Sequence, residues 1–465
     1  MKKTCFAFIL VAISNQAFAQ MPSPPKEAFK ACENSSQGSA CSFKAPHGNV
    51  SGICYAMKEG KMICVPGESK TNSMAHNSRD QSKNQFSNNN QQPQRSQNSP
   101  SRMMRVEISA KNSSAKKVKS LVPDTNQGTC FNDYSVISCP KEGGDFYGQD
   151  GNYFGATTSY KNNKDGTVSD LVTGLTWQKA HNAQRKSYYS AKQYCESLDL
   201  GGHKDWRLPT IKELFSIADF RGAQGKNYFL NSNYFDLKEP EQSILSNDPY
   251  SSTHSVGMMG QTWSSTVYSG KHFGRDGVEA FFFFNFLDGH IKQAPSSNNF
   301  SLFYRCVRGN IWGENKFVDN SDGTVTDNLT SLQWQQKDDG KTRDWKNALS
   351  YCQNLDLAGY KDWRLPSVKE LQTIVDYTKN SPALNTNYIK LTNSKAWFWS
   401  STTHGDNITM ASYVCFGACT SKDGVDTHGA GAQRSDPKSG YASKNQSLGG
   451  QEDEIRINNY VRCVR

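Results

Sequence analysis

The chain reads as an α+β protein of two tandem, disulfide-stapled domains, preceded by a small cysteine-rich module and a disordered linker. Three observations predict this. First, a cassette is written twice in constant register. Asp165-Gly-Thr-Val, Trp177-Gln, Tyr194-Cys195-x-x-Leu198 and Asp205-Trp-Arg-Leu-Pro209 recur 157 residues later as Asp322-Gly-Thr-Val, Trp334-Gln, Tyr351-Cys352-x-x-Leu355 and Asp362-Trp-Arg-Leu-Pro366. Second, Cys195 and Cys306 are 111 residues apart, and so are Cys352 and Cys463. Third, the copies diverge between those cysteines, because Trp263-Ser-Ser-Thr and Trp399-Ser-Ser-Thr are only 136 apart. A fixed framework with free loops is how a binding module is built.

Residues 1–19 have the form of a secretory signal, with Lys2 and Lys3, an apolar run from Phe6 to Ile13, and Ala17-Phe18-Ala19 as the cleavage site. The run is far shorter than the roughly 20 residues a membrane span needs. No later segment is apolar enough to span. The protein is therefore expected to be exported, to the periplasm, the outer surface or the medium. Removing the signal takes Cys5 with it and leaves 12 cysteines, an even set that reads as a disulfide framework. Spacing suggests Cys195 with Cys306, Cys352 with Cys463, Cys130 with Cys139, and Cys415 with Cys419. Two further bonds fall among Cys32, Cys41, Cys54 and Cys64, with connectivity open. No Cys-x-x-Cys pair or histidine cluster accompanies the cysteines, so zinc is not expected.

Residues 20–67 form the cysteine-dense module, too poor in apolar residues for a core of its own. Residues 68–123 are rich in Asn, Gln and Ser, with ten Lys and Arg against three acidic residues, and Phe86 is their only aromatic. Such a segment cannot offset its chain entropy and is expected to be disordered. It reads as a spacer, with a basic tether for anionic polymers as the alternative. It carries most of the formal charge of +10, so the charge says little about the repeats. Residues 124–153 are a turn-rich lead-in in which Cys130 and Cys139 close a short hairpin. The repeats span 154–309 and 310–465.

Within each repeat, Ala191, Tyr194, Cys195 and Leu198 fall at helical spacing and turn the cysteine inward. Thr210-x-x-Glu213 and Ser367-x-x-Glu370 are capping boxes that open a second helix. Strand and loop follow, with strands at Trp263-Ser-Ser-Thr, Ala280 to Phe286 and Tyr304 to Arg308. All nine Trp lie in the repeats, where the cores must be. Each staple closes its own repeat, so loss of Cys352 is expected to unfold the second and spare the first.

Asp-Gly-Thr-Val-x-Asp, Leu-x-Trp-Gln, Tyr-Cys-x-x-Leu, Asp-Trp-Arg-Leu-Pro-x-x-Lys-Glu-Leu, Trp-Ser-Ser-Thr and the closing Arg-Cys-Val-Arg together resemble the bacterial DUF1566 family. That family is also named for the C-terminal domain of the Legionella collagen-like adhesin. The resemblance covers about residues 126–465. It implies a C-type-lectin-like fold in both repeats: two helices, a small antiparallel sheet, a long loop region, and a disulfide from first helix to last strand. It also implies a class of function, adhesion to sulfated glycosaminoglycans. The calcium-type sugar loop of such lectins is not visible, since Glu239-Pro240-Glu241 is the nearest match and Trp-Ser-Ser replaces Trp-Asn-Asp. A collagen-like stalk is also missing from the sequence.

Calcium is the one cofactor the sequence hints at, through Asp165–Asp170 and Asp319–Asp327. A full loop needs about six oxygen ligands, and Asp-Gly reads more simply as a turn. No cofactor is therefore expected. Arg207 and Arg364 are expected to bond internally beside core Trp206 and Trp363. Hydrolase and phosphate-loop motifs are missing, and the principal cysteines occupy structural positions, so no enzyme activity is expected. Specificity is expected in the divergent loops. Lys271, His272 and Arg275, with His290 and Lys292, mark the first repeat. His404, His428 and Arg434, with Lys422 and Lys438, mark the second. Such groups would suit a sulfate or carboxylate. The expected function is an adhesin-like protein binding a surface polysaccharide or glycoprotein. The alternative is an envelope or appendage subunit that contacts proteins. Nucleic acid is not an expected partner.

Overall fold

The computed structural model describes residues 26–36, 39–45, 48–56, 61–66, 107–109, 112–181, 184–223, 226–237, 260–441, 447–448 and 452–465. The signal, residues 68–106 of the linker and Glu239-Pro240-Glu241 lie outside them. The chain divides into two compact units, Met1–Ser96 and Gln97–Arg465. In the first, α1 (Lys26–Lys30) accompanies an antiparallel sheet of β1 (Ala40–Ala45), β2 (Gly48–Ala56) and β3 (Met62–Pro66), in that order. The open connectivity resolves to Cys32–Cys54 and Cys41–Cys64. These four half-cystines are themselves the buried cluster, with Ala31, Phe43 and Met62 around them. Disulfides here replace a core the sequence is too polar to build.

The second unit begins inside the expected linker. Residues 107–109 and 112–123 are packed, which corrects the expectation of disorder throughout 68–123. Ile108 clusters with Phe131 and Ile408, and Val122 joins the core of the second repeat. Apolar Val118, Leu121 and Val122 sit at the end of a stretch whose average composition hides them. The lead-in adds β4 (Lys116–Lys117), a hairpin of β5 (Cys130–Phe131) and β6 (Val136–Ile137) closed by Cys130–Cys139, and β7 (Tyr153–Phe154), which pairs with β4 in parallel.

The repeats are mostly sheet with a few short helices. The first holds β8 (Tyr160–Asn162), β9 (Thr167–Asp170), β10 (Thr176–Gln178), α2 (Tyr188–Glu196), α3 (Ile211–Ser216), β11 (Gln261–Val267), β12 (Ala280–Asn285), β13 (His290–Pro295) and β14 (Val307–Arg308). The second holds β15 (Phe317–Asp319), β16 (Thr324–Asp327), β17 (Leu332–Gln335), α4 (Trp345–Gln353), α5 (Val368–Thr373), β18 (Trp397–Thr403), β19 (Met410–Cys415), β20 (Gln433–Pro437), and the hairpin β21 (Ser447–Leu448) and β22 (Asp453–Glu454). Each repeat thus has a small outer sheet and a three-stranded antiparallel sheet, β11-β12-β13 or β18-β19-β20. Cys195–Cys306 and Cys352–Cys463 tie α2 and α4 to the last segment of their own repeat.

The shared motifs are structural devices. Asp165 and Asp322 accept from the amides of Thr167 and Thr324, both at 3.0 Å, and Gly166 and Gly323 take φ near +88° and +86°. These are Asp-Gly turns needing left-handed glycine. Glu213 and Glu370 close their capping boxes and also hold Arg207 and Arg364 in two-pronged ion pairs of 2.6–2.7 Å. Trp206 and Trp363 donate to carbonyls of the preceding turn.

The two repeats pack on each other about an approximate two-fold axis. Lys212 on α3 donates to Thr373 O at the end of α5, at 2.6 Å. Lys369 on α5 donates to Ser216 O at the end of α3, at 2.8 Å. Lys369 lies 157 residues beyond Lys212, and Thr373 lies 157 beyond Ser216. The contact is therefore reciprocal, as at an isologous dimer interface. Both ammonium groups are buried, and burial pushes them down to about 8. One hydrophobic cluster takes Trp177, Leu214 and Phe282 from the first repeat and Trp345, Trp363 and Tyr413 from the second.

Candidate functional site

The edge strands β11 and β18 carry the Trp-Ser-Ser-Thr motif and launch the loops where specificity was expected. Trp263 and Trp399 anchor the strands by donating to Lys186 O at 2.9 Å and Arg343 O at 2.8 Å. Ser264 and Ser400 donate across to β12 and β19, both at 2.7 Å. Thr266 and Thr402 accept the first amides of α3 and α5, at 2.9 and 3.0 Å. The motif locks strand to helix and leaves the following loop to vary.

The loops have opposite fates. In the first repeat, residues 268–279 project beyond β11, with Lys271, Arg275 and Asp276 exposed. Phe273 is half-buried at φ 49°, a left-handed conformation uncommon for a bulky residue. In the second repeat, the corresponding turn 404–409 is short and covered. His404 and Ile408 are 2% and 1% exposed, and Ile408 packs under Ile108 and Phe131 of the lead-in.

Of the eight residues expected in ligand loops, two remain on the surface. Lys271 pairs with Asp276 at 2.8 Å, and Arg275 is exposed. The other six require correction, because the packing of the repeats withdraws them from solvent. His272 is buried, with Nδ1 2.6 Å from Gln293 Oε1. His290, Lys292, His404, His428 and Arg434 form a polar cluster between β13 and β20. The rings of His290 and His404 stack at 4.4 Å. His404 Nε2 lies 2.9 Å from Asp288 O, and His290 Nε2 lies 3.1 Å from Ser435 Oγ. Lys292 pairs with Asp288 at 3.3 Å. Asp453 meets His428 at 2.5 Å and Arg434 Nε at 2.9 Å. Burial pushes His404 and His428 down to about 4 and His290 well below its usual value. Burial would raise Asp288 and Asp453, but Lys292 beside the one and Arg434 beside the other hold both well below the carboxylate range. Lys438, also expected in a loop, is buried against Trp345 at 4.2 Å. Lys422 is paired with Glu452 at 2.7 Å.

Sequence reasoning missed the lead-in as a contributor. Gln127 lays its carboxamide on the edge of β18: Oε1 accepts from Thr403 N and Nε2 donates to Thr403 O, both at 2.8 Å. Asp150 accepts from Thr125 at 2.9 Å and from Thr402. Burial, then the nearby Asp124 charge, pushes Asp150 up to about 7. A cavity of ≈ 20 Å³ lies here, lined by Ser120, Asp124, Asp150, Tyr153, Arg364 and Glu370. It admits about one water, so it cannot hold a sugar. The signal that could have found this segment is the short apolar run before Pro123.

Among the described residues, the one set with metal-ligand proximity is Cys32, Cys41 and Cys54, whose sulfurs are committed to disulfides. Among the same residues, no helix is long and apolar enough to cross a membrane. No curated protein matches the chain. The family model for the Lcl C-terminal domain matches twice, over residues 166–308 and 323–465. Those spans begin at the glycines of the two Asp-Gly turns and contain both capping boxes, both staples and both edge strands just described. The chain belongs to the Lcl C-terminal domain family, an adhesin-related domain, which it carries in two tandem copies.

Proposed function

We propose that this is an exported, non-enzymatic adhesin-like protein whose repeats have a C-type-lectin-like fold and bind a surface polysaccharide or glycoprotein. The observation that carries the reading is the loop 268–279: among the described residues it is a divergent loop that stays open beyond an edge strand of the repeated framework. Its exposed Arg275 and Lys271 suit a sulfated or carboxylated sugar. The cystine content supports export, since disulfides persist in oxidising compartments.

The test is a glycan array probed with the full chain and with Lys271→Ala/Arg275→Ala. Binding to anionic glycans that the double variant loses, while its melting temperature holds, is the expected outcome. An array on which the wild type binds nothing removes the reading. A second reading, a protein-contacting envelope subunit, is favoured by one observation: the segment covering the second repeat's turn is itself polypeptide.

A further inference from the structure

The edge strands β11 and β18 point every second amide away from their sheets. On β18 the outward amides of Trp399, Ser401 and Thr403 are matched. Trp399 N donates to Tyr460 O at 3.0 Å, Ser401 N to Pro366 O at 2.8 Å, and Thr403 N to the Gln127 carboxamide at 2.8 Å. On β11 the first two have the same partners by position: Trp263 N donates to Phe303 O at 2.9 Å and Ser265 N to Pro209 O at 2.7 Å. The third is Val267. Tyr268 N donates to Ala280 O at 2.8 Å, as His404 N donates to Met410 O at 2.9 Å. Val267 therefore faces Phe281 as a non-hydrogen-bonded pair, with its own N–H and C=O directed outward. Among the described residues nothing occupies that edge, and Val267 is 48% exposed. The chain thus carries the same backbone acceptor twice, filled once by its own lead-in and open once.

We propose that the β11 edge at Val267 is a docking site for an extended polypeptide segment that presents an asparagine or glutamine carboxamide to it. The lead-in shows what the edge accepts. A primary carboxamide presents its C=O and N–H on one side and so bridges the N–H and C=O of a single strand residue, as Gln127 does at Thr403. This inference goes beyond the glycan reading and does not depend on it, because the strand edge and the loop cations are separate groups.

The probe is a synthetic peptide copying residues 123–129 of this chain, Pro-Asp-Thr-Asn-Gln-Gly-Thr. Hydrogen exchange of the full chain alone should show a fast amide at Val267 and a protected one at Thr403. Added peptide should protect Val267. Replacing the peptide's glutamine by glutamate, or Val267→Pro in the protein, should weaken binding by about tenfold or more. Proline is tolerated on an edge whose N–H faces outward, and a melting curve checks that the variant folds. Should it not fold, the peptide change on wild-type protein still decides. Peptide that leaves Val267 unprotected, or that binds equally well after the glutamine is replaced, overturns the proposal. Lys271→Ala/Arg275→Ala should abolish glycan binding, and Val267→Pro should leave it intact, so the two readings fail separately.

Discussion

The first repeat leaves its loop in water, and the second buries the corresponding turn under the lead-in. The helix, staple and edge strand are the same in both. What differs is the length of four connections and the cover that the lead-in places over the edge of β18 and its turn. In the second repeat the short turn 404–409 makes room for Ile108 and Phe131, and the longer 416–432 segment crosses to the first repeat, where Asp426 accepts from Tyr268 and Thr427 O accepts from Gln293 at 3.0 Å. Exposure of a loop here depends on what the rest of the chain packs over it, and loop sequence alone does not settle it.

The strongest way to break the comparison is to cut one staple. The shared core implies that Cys352→Ser unfolds both repeats in a single calorimetric transition, contrary to the expectation that the first would be spared. A closed loop of 111 residues contributes about 4–5 kcal/mol in the chain-entropy model. Two separable transitions would show the repeats to be independent.

Acid should open the seam between β13 and β20. The folded pKa values of His404 and His428, about 4, lie below the free value, so their stabilisation is complete above pH 6.5 or so and is lost as pH falls towards 4. The loss is on the order of 3 kcal/mol per histidine. Facing them are Asp288, Asp453, Lys292 and Arg434, and both carboxylates stay ionised across that window. Asp150, raised to about 7, acts in the opposite sense and becomes less costly as pH falls from 7 to 4. Urea midpoints at pH 7 and 4.5, for wild type and for His404→Gln/His428→Gln, should converge at the lower pH. Equal pH dependence in both proteins would exclude the histidines.

Smaller effects test the axis itself. Lys212→Met and Lys369→Met should each destabilise by about 1–3 kcal/mol, since each strips buried carbonyls of a donor. Similar values would support the reciprocal contact, and a large inequality would argue against it. Smallest of all, Lys271→Ala/Arg275→Ala should leave stability within about 0.5 kcal/mol, a figure to compare by thermal melt.

Much of the framework was legible in the chain. Cysteine spacing and helical periodicity pointed to both staples, and Thr210-x-x-Glu213 and Ser367-x-x-Glu370 announced their caps. These are local patterns or repeated ones. The packing between repeats was not legible. Lys212 and Lys369 carry no local sign of it, because nothing nearby in sequence shows that a carbonyl from the far repeat waits for each ammonium. His290, His404 and His428 read as loop residues for the same reason: their partners Asp288, Ser435 and Asp453 are assembled by tertiary contact. Ile108 and Val122 were hidden by averaging over a polar stretch. Lys271 and Arg275 were found because no tertiary contact intervenes.

The reciprocal lysine contact also bears on how the two halves can change. In a dimer of separate identical subunits, one substitution alters both sides of the axis at once. In this fused pair Lys212 and Lys369 are encoded separately, so a change at one leaves its mate intact. The same freedom extends to the edges β11 and β18. One side could acquire a permanent occupant while the other stayed vacant, without either half losing the partner that keeps it folded.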